Sequence, residues 1–344
     1  MNYRDRILAA INHELPDYVP AYVITIDDIA PFLAHLGLED REALYDYLGI
    51  GIRGTGAGYT NLKPGLNHFG TSGGGSDYST STFTRPFADA KTIDEIDNYD
   101  WPAVENCVFD HIPPTLEQYH GKYATMVNGW NPIFCQVLDL FGMENALVRI
   151  CAEPAFIEAA VAHIEDFYLG FYKRLFESCG GKADIFNLGD DFATQRGMLI
   201  SPSHWRKYFK PTYKKIFELA KSYGLYVWFH SCGAISEVLP DFVDIGVDVW
   251  ETVQVHLLGN EPEKIKKNFG EDIAFFGGIN TQATLPYGTP DQVRAEVRER
   301  IKVLGAGGGY ICGPDHHIKI DVPVENALAM FDEIKKFRYE GCTL

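Results

Sequence analysis

The sequence lacks the features that mark membrane, secreted and nucleic-acid-binding proteins. No apolar run reaches the length of about 18 residues that a membrane-spanning helix needs. The first residues carry charges and contain no apolar stretch typical of a signal peptide, so we expect a cytosolic location. Basic residues are scarce, with 30 Lys and Arg against 47 Asp and Glu and a formal net charge of −17. Such a charge repels phosphates, so we expect neither a nucleic acid nor a membrane as partner.

The patterns of cysteine and glycine argue against two further classes, disulfide-stabilised proteins and nucleotide-binding proteins. The seven cysteines are odd in number and scattered, which does not indicate a disulfide framework. GAGGGY (305–310) precedes a predicted strand, whereas a dinucleotide-binding glycine motif follows one. TSGGGSDYS (71–79) has no lysine placed as in a phosphate-binding loop. A neutral or cationic small molecule, or a protein partner, remains compatible with this composition.

What the sequence does contain is a regular alternation of apolar strands and helices from residue 183 onwards. Near-continuous apolar strands that alternate with helices indicate a parallel sheet covered on both faces. The predicted strands are ADIFNLGDD, LYVWFHSCG, VDVWETVQV, IAFFGGIN and GGGYICGPDHH, and the helices after them are 202–222, 234–244, 261–269, 290–304 and 323–337. Upstream, the predicted elements are strands at 18–25 and 123–129 and helices at 3–13, 138–151 and 154–178. The pattern predicts a single-domain (β/α)8 TIM barrel over residues 1–344, with a doubly wound sheet as the alternative.

One segment interrupts this alternation. Residues 51–85 are rich in Gly, Ser and Thr and contain scattered aromatic residues. We interpret them as an irregular or hairpin-containing insertion, because the aromatic side chains give the segment something to bury.

Polar residues follow the predicted strands at the ends where the apolar runs stop. In a barrel these carboxyl-terminal ends converge on one mouth, where catalysis takes place. The polar residues at these positions are Thr25, Asp27, Asp28, Asn128, Trp130, Asn131, Asp190, Asp191, His230, Cys232, Glu251, Gln254, Asn280, Gln282, Cys312, Asp315, His316 and His317. Because adjacent residues cannot both point inward from a strand, at most one of Asp190 and Asp191 is expected to serve as a general acid or substrate-orienting carboxylate, and an N-cap or a surface ion pair is the alternative role for the other.

His230 and Cys232 predict a metal site. Being two residues apart, they project to the same side of an extended segment. Cys312 and His316 end the last predicted strand, which barrel closure brings to the same mouth. These nitrogen and sulfur donors suit Zn²⁺ with an open fourth position. The third ligand is open between Cys312, within the strand, and His316, in the loop beyond it; Glu251 is a candidate to close the site without substrate.

Four stretches resemble the uroporphyrinogen decarboxylase superfamily, and the similarity runs over nearly the whole chain. They are GDDFATQRGMLISPSHWRKYFKP, FHSCGAISEVLPDFVDIGVDVWETVQ, FFGGINTQATLPYGTPDQVRAEV and GGGYICGPDHHIKIDVPVENALAMF. The superfamily is built on a (β/α)8 barrel and contains metal-free decarboxylases and zinc methyltransferases that work with corrinoid proteins. Where the decarboxylases have an arginine-rich segment, this chain has AYVITIDDIAPF, which opposes a substrate with eight carboxylates. The residues of these motifs are more similar to those of bacterial proteins associated with the O-demethylation of methoxylated aromatic compounds.

The resemblance implies a methyltransferase that moves a methyl group between a small substrate and a partner corrinoid protein, with a methoxylated aromatic as the expected substrate. Zn²⁺ on His230, Cys232 and Cys312 or His316 is then expected to act as a Lewis acid. The cobalamin is expected on the partner, because the DxHxxG motif of corrinoid domains is not found in the sequence. A metal-free lyase of a smaller carboxylic acid is the alternative. The oligomeric state is left open, with a homodimer as one alternative. The direction of methyl transfer is left open as well.

The mechanism that the resemblance implies also suggests roles for the remaining candidate residues. Asp190 or Glu251 is expected to orient the substrate or to manage the proton on the leaving group. The residues expected to bind the substrate are Tyr22, Asn128, Trp130 and Gln254, with Tyr59 and Phe134 as further aromatic candidates for the pocket wall.

Overall fold

Parallel strands surrounded by helices form the centre of the computed structural model, which describes residues 1–72 and 84–339. The strands are β1 Ile52–Thr55, β2 Gly58–Tyr59, β3 Cys107–Val108, β4 Ala124–Gly129, β5 Ile185–Gly189, β6 Ala193–Thr194, β7 Gly197–Met198, β8 Tyr226–His230, β9 Val249–Val253, β10 Ala274–Ile279 and β11 Tyr310–Pro314. The α-helices are α1 Tyr3–Ile11, α2 Ala30–Leu36, α3 Arg41–Leu48, α4 Asp94–Asp97, α5 Ile112–Tyr119, α6 Phe134–Phe141, α7 Met143–Ala152, α8 Pro154–Ser178, α9 Pro202–Tyr208, α10 Lys210–Ser222, α11 Leu239–Asp244, α12 Pro262–Phe269, α13 Thr284–Tyr287, α14 Pro290–Leu304 and α15 Val324–Lys336.

The parallel sheet has the order β1-β4-β5-β8-β9-β10-β11. An extended segment around Ala21 joins its two edges, with parallel bridges to Ile50, next to β1, and to Cys312 in β11. The amide of Gly51 donates to the Ala21 carbonyl at 3.0 Å, and that of Cys312 donates to the Pro20 carbonyl at 2.9 Å. This segment supplies the eighth member of the ring, so the prediction of a (β/α)8 barrel is confirmed.

Two cores form because alternate residues of each strand face opposite sides of the sheet. The inner core fills the ring and includes Trp228, Phe276 and Ile311, with side chains of α1 packed against them. The outer core lies between the sheet and the helices and includes Phe229 and Cys312. Since His230 stands two residues after the inward-facing Trp228, the alternation directs it into the mouth of the barrel.

Several helices differ from their predicted bounds, for local reasons. The helix predicted at 138–151 is two helices, α6 and α7, separated by Gly142 with a φ of +83°. The helix predicted at 202–222 divides into α9 and α10, with Pro211 in the first turn of the second. Proline fits the first turn of a helix but removes a hydrogen bond from its interior, which favours the break. None of the helices in the described ranges combines the length and apolarity needed to cross a bilayer.

The predicted insertion at 51–85 begins with a barrel strand, β1, that the sequence pattern did not reveal. Arg53 is 4% exposed in this strand, and the run GIRG, with an arginine between glycines, does not resemble a core strand. Its charge is compensated by Glu42 and Asp46, at 2.7 and 3.0 Å. Beyond β1 the chain forms β2, which pairs antiparallel with β3, and residues 73–83 of the predicted insertion lie outside the described residues.

Candidate metal centre

Three side chains at the barrel mouth bring together atoms that could hold a metal ion, and we call these three residues the metal-binding group. The donor atoms of His230, Cys232 and His316 all lie within 4.8 Å of one another. Cys232 Sγ is 3.4 Å from His230 Nε2, and the two imidazole ring centroids are 5.8 Å apart. His230 ends β8, while His316 follows β11 by two residues, so separate strands contribute to one group.

A buried carboxylate orients His230 from behind. Glu251 Oε1 lies 2.7 Å from His230 Nδ1, and its other oxygen accepts a hydrogen bond from the indole N–H of Trp228. Burial lowers the pKa of His230, but the adjacent Cys232 and Glu251 outweigh this effect and raise the pKa well above its usual value. A carboxylate on Nδ1 leaves Nε2 facing Cys232 and His316, which is the arrangement found behind metal-bound histidines.

His316 is a neutral donor. Burial lowers the pKa of this imidazole to about 3, so its ring nitrogens carry no extra proton at neutral pH. Burial also raises the pKa of the Cys232 thiol, which a bound cation would counteract by favouring the thiolate.

Cys312, the other predicted candidate for third ligand, is not part of this group. It is fully buried in the outer core, where the hydroxyl of Tyr310 donates to its sulfur at 3.4 Å. Burial raises the pKa of its thiol to about 12. The cause is strand alternation: Ile311 faces the barrel interior, so Cys312 faces the helices. The structure therefore brings His316, and not Cys312, to the pair of His230 and Cys232.

Asp190 lies away from the mouth, in contrast to its expected role as a substrate-orienting carboxylate. Its side chain is fully buried and accepts hydrogen bonds from the backbone N–H groups of Ile133, Phe134 and Cys135 at 2.8, 2.6 and 3.0 Å. The hydroxyl of Tyr213 donates to it as well. These contacts hold the start of α6, so Asp190 serves the fold at this position.

Asp191, which the sequence reasoning did not select, is the carboxylate beside the metal-binding group. Its Oδ1 accepts the backbone N–H of Cys232 at 2.8 Å and lies 3.8 Å from His230 Nε2. Its side chain is 29% exposed, so it faces the open mouth. Because Asp190 and Asp191 are adjacent, the sequence predicted that they could not both face the mouth, but nothing in the sequence indicated which one does.

The predicted substrate-binding residues occupy different depths. Trp130 is 47% exposed and makes an edge contact with His230, with ring centroids 5.7 Å apart. Gly189 permits this approach, since a Cβ there would lie 2.7 Å from the indole. Tyr22 lies deeper, against the rings of Trp228 and Phe276 in the barrel interior.

The other two predicted substrate-binding residues are polar. Gln254 is 5% exposed, and its Oε1 accepts the N–H of Gly233 at 2.8 Å, so it holds the loop that follows Cys232. Asn128 belongs to β4, but its side chain lies outside the described part of the chain.

Asp315 supports the loop that carries His316. Its buried carboxylate accepts the N–H and the hydroxyl of Thr281 at 3.0 and 2.6 Å, which ties the end of β11 to the end of β10. Burial raises the pKa of Asp315 to about 7. Next to it, His317 Nδ1 lies 3.4 Å from Asp27 at the rim. The sequence placed these residues at strand ends without assigning them partners.

Comparison with known proteins identifies the family. The model of the family "Uroporphyrinogen decarboxylase (URO-D)" matches residues 76–337. The chain belongs to the uroporphyrinogen decarboxylase family. The resemblance seen in the sequence is thereby confirmed.

Individual relatives include methyltransferases and a decarboxylase. A methylated-thiol–coenzyme M methyltransferase of Methanosarcina mazei is 30% identical over 194 residues, which cover 55% of this chain and 47% of the relative. A uroporphyrinogen decarboxylase of Pseudoalteromonas atlantica is 29% identical over 75 residues, 22% of this chain and 21% of that protein. The matches thus span about half and about a fifth of these relatives. The solved structure of a methyltransferase from Methanosarcina mazei has the same fold, with a TM-score of 0.69 and 20% identity over 98% of this chain and 99% of that one.

The donor set of this family member fits a zinc ion. His230, Cys232 and His316 offer two imidazole nitrogens and one sulfur, and three protein ligands leave a fourth position for a substrate. Glu251 supplies the partner for the first histidine that metal-binding imidazoles usually have.

Proposed function

We propose that the protein is a zinc-dependent methyltransferase that moves a methyl group between a methoxylated aromatic compound and a corrinoid carried by a partner protein. The convergence of His230, Cys232 and His316, with Glu251 behind the first histidine, carries the proposal. A relative named as a methyltransferase supports the reaction class.

The zinc ion, held by His230, Cys232 and His316, would supply a Lewis acid for the ether oxygen of the substrate. In the demethylation direction, the bond between the methyl carbon and the oxygen breaks, and its electron pair stays on the oxygen. The corrinoid cobalt is a second substrate: formally cobalt(I), it supplies the electron pair of the new bond to carbon and becomes cobalt(III). The phenolate product takes up one proton from solvent.

The chain's own residues position the reactants. Trp130 offers a half-exposed indole next to His230, and an aromatic face of this kind suits a planar ring. Asp191 holds the backbone of Cys232 and presents a carboxylate to the mouth. Tyr22 closes the floor from the barrel interior.

Metal analysis combined with a methyl-transfer assay tests this function. We expect about one zinc per chain in the wild-type protein, and loss of the metal together with at least a 100-fold loss of methyl transfer in His230→Ala and Cys232→Ala. Cys151→Ala is the matched control, because this thiol is exposed on α7, and it should keep both metal and activity. Cys312→Ala should keep the metal, whereas His316→Ala should weaken its binding.

Two results would contradict the proposal. One is a wild-type protein that transfers methyl groups equally well after complete removal of metal. The other is decarboxylation of a small carboxylic acid by the metal-free protein without methyl transfer, which would establish the lyase alternative.

A further inference from the structure

One residue of the inner core carries a hydrogen-bond donor. Within the described ranges, the buried members of this core other than Trp228 are alanine, valine, isoleucine, methionine and phenylalanine, whose side chains have no polar hydrogen. Trp228 is fully buried and brings an indole N–H into the same apolar layer. A buried tryptophan usually finds an acceptor for this group. Packing alone does not require the N–H, so its partner is informative.

Strand pairing places Trp228 directly beneath the metal-binding group. His230 pairs with Glu251 across β8 and β9, and Trp228 precedes His230 by two residues on the same face of the sheet. Inward side chains of a barrel lie in layers, so the indole occupies the layer below the carboxylate. Its N–H donates to Glu251 Oε2. Glu251 is 3% exposed, so solvent has no access to this hydrogen bond.

The two oxygens of Glu251 are held from different sides. Oε1 lies 2.7 Å from His230 Nδ1, and Oε2 accepts the indole N–H of Trp228. No other group in the described part of the chain donates a hydrogen bond to this carboxylate. The terminal torsion of a glutamate has a broad energy minimum, so one contact does not fix the plane of the carboxylate. The second donor, on the opposite oxygen, does fix it.

We infer that Trp228 is a positioning residue for the metal ion. Its indole N–H sets the plane of the Glu251 carboxylate, which in turn holds His230 with Nε2 directed at the ion. This inference rests on the metal site of the proposed function. The three side chains form one buried series from the barrel interior to the mouth, with exposures of 0%, 3% and 8%. Hydrogen bonds to an ionised group are stronger than neutral ones, which suits this task.

The zinc affinity of Trp228→Phe tests this role, because the phenyl ring fills much of the same space and lacks the N–H. We expect zinc binding to weaken about fivefold, less than the 10–100-fold typical of losing a direct partner of a metal ligand. Competition with a coloured chelator measures the affinity. Trp205→Phe is the matched control. Trp205 is also fully buried, and its indole N–H has no partner within the described ranges, so zinc affinity should stay unchanged.

A double-mutant cycle separates positioning from a general loosening of the core. In a Glu251→Ala background the indole has no carboxylate left to position. Trp228→Phe should therefore change zinc affinity by less than about twofold in that background. An equal loss of affinity in the presence and absence of Glu251 would show that the ring only supports the fold, and it would overturn the inference.

An isosteric replacement covers the case in which Trp228→Phe does not fold. Benzothienylalanine in place of Trp228 keeps the bicyclic ring and exchanges the N–H for sulfur, and it should weaken zinc binding as much as phenylalanine does. Wild-type affinity in this protein overturns the inference and leaves the methyltransferase function intact. A wild-type protein that binds no zinc overturns both. Because zinc affinity needs no methyl acceptor, this measurement decides the role of Trp228 independently of methyl transfer.

Discussion

The mouth side and the helix-facing side of the same strand ends use identical residue types for different purposes. Asp191 lies at the mouth beside His230, whereas its neighbour Asp190 is buried and holds the start of α6. Cys232 joins the metal-binding group, whereas Cys312 is packed in the outer core. The orientation of a side chain across the sheet thus decides whether it faces the barrel mouth or packs into the core.

Replacing the buried aspartate, Asp190, by alanine should have the largest effect and tests the comparison most directly. Asp190→Ala leaves three buried backbone donors and the Tyr213 hydroxyl without an acceptor. Since each unpaired buried group costs about 1–3 kcal/mol, we expect a loss of at least about 3 kcal/mol in the free energy of unfolding. Denaturant titration measures this loss. A stable Asp190→Ala protein with a specific defect in methyl transfer would contradict the assignment.

Asp191→Ala is the matched variant on the mouth side. Because it removes one hydrogen bond from a partly exposed carboxylate, we expect it to lower stability by less than about 1 kcal/mol. Its main effect should be on methyl transfer.

Glu251→Gln tests whether the carboxylate behind His230 contributes to metal affinity. The neutral amide is a weaker partner for His230 Nδ1, and changes to such partners typically cost 10–100-fold in metal affinity. Competition for zinc with a coloured chelator measures the affinity. Glu165→Gln on α8, which removes the ion pair with Lys215, is the control and should leave zinc affinity unchanged. An equal loss of affinity in both variants would indicate a general effect on the fold.

A histidine packed against Phe69 and Phe167 of the outer core makes the stability depend on pH. Burial lowers the pKa of His68 to about 4, and the ring stacks on Tyr59 with centroids 4.1 Å apart. Since the unfolded chain takes up the proton near pH 6.5, stability is retained above that pH and lost as the pH falls towards 4. The expected slope is at most about 1.4 kcal/mol per pH unit. His68→Phe should remove this part of the pH dependence, and parallel slopes for the two proteins would contradict it.

Much of the fold could be predicted because local patterns determine it. The helices predicted at 154–178 and 290–304 have the observed bounds, Pro154–Ser178 and Pro290–Leu304. β1 was missed because the charge of Arg53 is neutralised by acids on α3, a contact between separate segments of the chain.

The candidate site could be predicted in part. The spacing of His230 and Cys232 placed both on one side of an extended segment, and the structure brings their donor atoms within 3.4 Å. The orienting contact between Glu251 and His230 could not be predicted, because it joins neighbouring strands whose register appears only in the assembled sheet.

By itself the sequence determined the alternation of strands and helices, the acidic composition and the donor types available at the strand ends. The tertiary structure decided which donors meet, bringing in His316 and turning Cys312 towards the helices. The physical reason is that barrel closure and strand register set the direction of each side chain, and both depend on hydrogen bonds between segments far apart in the chain.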